Sequence, residues 1–66
     1  TSNVEWMIFH VSAHVDALNN PVVPDIFKKS SYDLVRNTAR HVRKLDPDHE
    51  ALPELESSLK HYRRAS

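Results

Sequence analysis

The stretch VEWMIFHVSAHVDAL, residues 4–18, is apolar on two opposite sides when it is wound as a helix. At about 100° per residue, Val4, Met7, Ile8, Val11, Val15 and Leu18 fall on one face, with Trp6, Phe9, Ala13 and Ala17 roughly opposite. A small domain needs only one such face to build a core. The second face therefore asks for a further partner. Ser2 followed by Glu5 has the spacing of a capping box, in which each side chain satisfies an orphan backbone N–H of the first turn. The spacing predicts a first helix over residues 3–18.

Asn19-Asn20-Pro21-Val22-Val23-Pro24 cannot continue that helix, because each proline removes a donor and biases the residue before it toward extended geometry. After Pro24, residues 25–29 suit a short helical turn that tucks Ile26 and Phe27 inward. Ser30 or Ser31 then offers a cap for a second helix over 31–45. On it Leu34, Val35, Thr38, Ala39, Val42 and Leu45 share one arc, and Arg36, Arg40, Arg43 and Lys44 share the other. Asp46-Pro47 ends this helix. The carboxylates Asp48, Glu50, Glu54 and Glu56 crowd the start of a third, expected over 53–64 with Pro53 in its first turn and Leu52, Leu55, Leu59 and Tyr62 as its stripe. Acidic residues at its start and Lys60, Arg63 and Arg64 at its end suit the helix dipole. The expectation is an all-α fold, a small three-helix bundle with short proline-marked connections. Residues 1–66 read as a single interaction domain, expected to be a fragment of a larger protein.

Tyr32 to Pro47 is similar to the second helix of a tetratricopeptide repeat, with Val35, Ala39 and Val42 at its packing positions and Pro47 at its closing proline. The likeness covers about a quarter of the chain. The Trp/Leu/Gly signature of the repeat's first helix is absent, and residues 25–30 are too few to supply that helix. The resemblance implies at most a repeat-like packing unit, and it is not adopted.

Composition excludes more than it names. Glycine is absent altogether, which removes phosphate-cradling loops, the dinucleotide fingerprint and strained nucleophile turns. Without cysteine there is neither a disulfide framework nor a thiolate metal site, and the simplest reading is an intracellular setting. No apolar run approaches the ~20 residues that span a bilayer, so no membrane partner is expected. Nine Lys+Arg balance nine Asp+Glu, for a formal net charge of zero. Any electrostatic preference must then be local. At 66 residues the core is marginal, since a chain of about 60 residues buries only ~60% of its unfolded surface. Stabilisation by association fits that shortage.

Two accounts of the second face of helix one stand open. Either helix one lies between the other two with Trp6 partly covered, or the strip of Trp6, Phe9, His10, Ala13 and Ala17 is an intermolecular seam. Interface cores are enriched in aromatic residues and depleted of charge, and this strip has both properties. The arginines of helix two could track successive phosphates, with Lys28 and Lys29 extending the patch, or could steer an acidic protein. The plainest reading makes them a solvated, internally paired face.

His10 and His14, one turn apart, could share a metal, but no third ligand is evident beside them. They are expected instead to border the apolar strip, so that association weakens as pH falls through the histidine range. Ser57 and Ser58 have helical spacing to His61 yet lack an orienting carboxylate and a pocket. The expected function is a protein–protein interaction module, acting by homodimerisation or by docking a partner helix, with Trp6 as its hot spot and the ridge of Arg36, Arg40, Arg43 and Lys44 steering an anionic partner. Catalysis, cofactors, metal ions and small-molecule substrates are not expected. The alternative is a nucleic-acid-binding domain that uses the same ridge.

Overall fold

The computed structural model describes residues 3–65, arranged as three helices and no strand among them: α1 (Asn3–Asn19), α2 (Asp25–Leu45) and α3 (Leu52–Ala65). The expected cap Ser2 lies outside the described residues. Each helix packs against the other two, within extents of 33 × 19 × 15 Å. The core is one cluster: Val4, Val11, Val15 and Leu18 from α1, Val35, Ala39 and Val42 from α2, and Leu52, Leu55 and Leu59 from α3. Met7, Ile8, Tyr32 and Tyr62 pack around it. Tyr32 apart, these are residues that the helical spacing placed on the inner stripes.

The connection between α1 and α2 follows from its side chains. Asn20 Oδ1 accepts from the Val22 N–H at 2.9 Å, and the Val23 N–H donates to the Asn20 carbonyl at 3.2 Å, so the asparagine folds the turn on itself. Pro24, at φ −61° and ψ 146°, is the N-cap of α2; its carbonyl receives the N–H groups of Phe27 and Lys28. The sequence places a break at Ser30-Ser31 that does not exist. The expected turn over 25–29 and the helix over 31–45 are one continuous helix, because Pro24 already supplies the start and neither serine is needed as a cap.

Two further expectations fail with it. Ile26 and Phe27 do not tuck inward: they are 75% and 64% exposed. Leu34 and Leu45, assigned to the buried arc, also lie on the surface. Both neighbours pack against α1 and bury the face carrying Val4, Val11, Val15 and Leu18, while Trp6 is half-covered.

Polar ties fix α1 against the other helices. His14 Nδ1 meets Ser31 Oγ of α2 at 2.9 Å, and Asn19 Nδ2 donates both to the Val15 carbonyl and to Ser58 Oγ of α3, each at 3.0 Å. Ser31 and Ser58 are the two buried polar residues among the described ones, and both are thus satisfied. The far end of α3 closes over the first connection. There the Tyr62 ring lies 5.2 Å from that of Tyr32, and burial, then the neighbouring Asp25 carboxylate, pushes the Tyr62 phenol above its usual range.

Candidate interaction surfaces

On the outer face of α1, Trp6 is 52% exposed and Phe9 68%. The three aromatic side chains there touch one another. Trp6 stacks on His10 with ring centroids 5.5 Å apart and an interplanar angle of 27°, and it meets Phe9 edge-on at 6.2 Å. Phe9 and His10 close the triangle at 6.0 Å. Spacings of three and four residues bring this about, since i, i+3 and i, i+4 side chains are neighbours on a helix. Ala13 is exposed and Ala17 half-buried on the same side. The expected strip is therefore one physical patch.

His14 does not belong to that patch. Its ring is half-buried against Ser31, so of the two histidines only His10 sits beside Trp6. The expected pair of interface imidazoles reduces to one.

Large apolar side chains of α2 are also exposed. Phe27, Leu34 and Leu45 are separated by seven and eleven residues, which returns each to within about 20° of the same helical direction. That direction is turned away from α3, which packs along the Ala39 and Arg43 side of α2. His14 fixes the α2-facing edge of α1, and Trp6, His10 and Ala17 lie just beyond it, away from Asn19 and α3. Apolar side chains of both helices thus occupy one side of the α1–α2 pair. The missed signal was the seven-residue step from Phe27 to Leu34.

Comparison with protein-family models, with curated proteins and with solved structures finds no match. The surfaces must speak for themselves.

A second surface lies between α2 and α3, an open groove of about 1160 Å³ lined by Arg36, Arg40, Arg43 and Lys44 of α2. The whole expected ridge faces it, and α3 adds Lys60 and Arg63, which the sequence reading assigned only to a helix end. Ala39 and Leu59 contribute buried apolar side chains to the lining, and Glu56 its one carboxylate. Part of the ridge is engaged within the chain. Arg43 pairs with Glu56, and Arg36 lies 3.8 Å from Asp33 with its guanidinium 5.7 Å from the Tyr32 ring centroid. Arg40, Lys44 and Lys60 form no ion pair among the described residues. Lys28 and Lys29 do not line the groove.

Neither candidate for chemistry gathers a site. Ser58 is held by Asn19, while His61 is exposed. No group of three His, Cys, Asp or Glu able to hold a metal occurs among the described residues, and no helix among them is long and apolar enough to cross a membrane.

Proposed function

We propose that this chain is a protein–protein interaction module that docks through the outer face of α1, as a homodimer or against a partner helix. The carrying observation is the exposed triangle of Trp6, Phe9 and His10 on α1, with Phe27, Leu34 and Leu45 of α2 exposed as well. Full burial of a large apolar side chain is worth about 1.5–3 kcal/mol, and these side chains leave roughly half of it ungained, so a partner that covers them gains what the fold does not. Pre-stacked rings lose little conformational freedom on docking, which suits Trp6 to a hot spot. The alanines beside them leave room for a second helix to approach closely. An intracellular setting accords with the cysteine-free composition.

Sedimentation of wild type and Trp6→Ala, with circular dichroism on both, tests this reading. The wild-type mass is expected to rise with concentration above that of the 7.6 kDa chain. Trp6→Ala should remain helical and stay monomeric. A variant that unfolds would place Trp6 in the core and overturn the proposal, while a wild type fixed at the monomer mass assigns the face to a partner helix.

A further inference from the structure

We propose that the groove between α2 and α3 is a second docking site, chemically unlike the first, that takes an acidic amphipathic helix of a partner protein. The groove lies on the other flank of α2 from Leu34, so its occupant does not compete for the α1 face. Its volume exceeds the roughly 300–1,000 Å³ of small-ligand pockets, and it is open rather than enclosed. That shape suits a stretch of polypeptide. Two antiparallel helices with small and aliphatic residues between them, Ala39 and Leu59, leave a shallow furrow in which a third helix can lay an apolar stripe. Cationic side chains then flank it on both banks: Arg36, Arg40 and Lys44 on one, Lys60 and Arg63 on the other.

Charge decides the occupant. Six lysine and arginine side chains face the groove against one carboxylate, although the chain as a whole is neutral. Glu56 shows what the groove accepts, for it is a carboxylate presented from a helix and paired with Arg43. Arg40, Lys44 and Lys60 stand ready for others. A nucleic acid is the poorer fit on two counts. No Phe, Tyr or Trp side chain lines the groove to stack a base, His41 being its one ring, and a chain of zero net charge lacks the broad positive field that gathers phosphates.

The experiment titrates isotope-labelled protein with a synthetic 16-residue helical peptide that carries leucines at alternating spacings of three and four and glutamates on the flanks. A matched peptide with glutamine for every glutamate is the control. The acidic peptide should move the amide signals of Ala39, Arg40, Leu59 and Lys60 and leave the Trp6 indole unmoved. Its affinity should fall at least tenfold for the glutamine peptide, and equally for Arg40→Glu/Lys60→Glu, a pair of exposed sites whose folding is checked by circular dichroism. Glu56→Gln removes the internal competitor and should tighten binding several-fold. Equal binding of the two peptides, no binding at millimolar peptide, or shifts centred on Trp6 would overturn the proposal. So would tighter binding of a 16-base-pair DNA duplex to the same amides. Association through the α1 face is read separately by the Trp6 variant, so failure of the groove proposal and failure of the α1 reading are distinguishable.

Discussion

Nε2 of His49 lies 3.0 Å from Glu5 Oε1, and its Nδ1 accepts the Ala51 N–H at 3.0 Å, so one imidazole ties the start of α1 to the start of α3. In the neutral ring this requires the proton on Nε2. Two effects then oppose each other on titration. The hydrogen bond to the Glu5 carboxylate, with the charges of Glu5, Asp46 and Glu50, raises the pKa above 6.5 against the lowering effect of desolvation. A second proton, on Nδ1, sacrifices the Ala51 bond. The carboxylates are charged and close, and the raised value is the direction that follows. A raised folded-state pKa gives stability that is fully present below the unfolded value of about 6.5 and is lost as pH rises through the folded value. Urea midpoints at pH 6 and pH 8 should therefore fall further for wild type than for His49→Gln, and the His49 ring signals should titrate above the free value. A midpoint difference that is the same for both proteins would show that loss of the Ala51 bond cancels the pull of the carboxylates, and a smaller fall for wild type that it prevails. Glu5 is legible in the sequence as half of a capping box, but its contact with His49 spans 44 positions that no local pattern joins.

At the scale of the elements, the sequence carries α1 and α3 to within a residue or so, because each keeps helical apolar spacing throughout and proline-marked connections adjoin both. For α2 it misleads, and the reason is instructive. Ser30-Ser31 has the composition of a cap, since short hydroxyl side chains compete for backbone groups, but a cap is needed only where a helix lacks a start. Pro24 had provided one six residues earlier. Ser31 spends its hydroxyl on His14 instead, a tertiary use that spacing along one helix cannot reveal. The same continuity carries Phe27 onto the side of Leu34 and leaves both outside the core. Ser30 is exposed, so Ser30→Pro isolates the backbone effect. In a continuous helix it removes a hydrogen bond and sets the ring against the carbonyl of Ile26, costing about 3 kcal/mol. At a helix start the loss would be near that of one cap, about 1 kcal/mol. Chemical denaturation separates the two values.

For the whole molecule, the inner stripes suffice for one core and the remainder divides into two surfaces of opposite character. Residues of the ridge and of the strip were both legible as patterns on single helices. Their division between the two sides of α2 was not, because it depends on where α3 packs. Core and surface should answer the same substitution very differently. A 66-residue domain at about 0.05–0.15 kcal/mol per residue has only about 3–10 kcal/mol of stability. Leu18 is 1% exposed and belongs to the core cluster, so Leu18→Ala, at about 2–5 kcal/mol including its cavity, should leave the chain partly unfolded at 37 °C. Leu34→Ala removes the same atoms from a side chain already half in water, and an exposed helical position favours alanine. Thermal unfolding of dilute Leu34→Ala should change by no more than about 0.5 kcal/mol, the usual range for surface substitutions. Its self-association at high concentration should weaken together with that of Trp6→Ala. If Leu34→Ala instead destabilises the dilute monomer as Leu18→Ala does, the α2 side of the patch belongs to the core, and the docking face contracts to α1 alone.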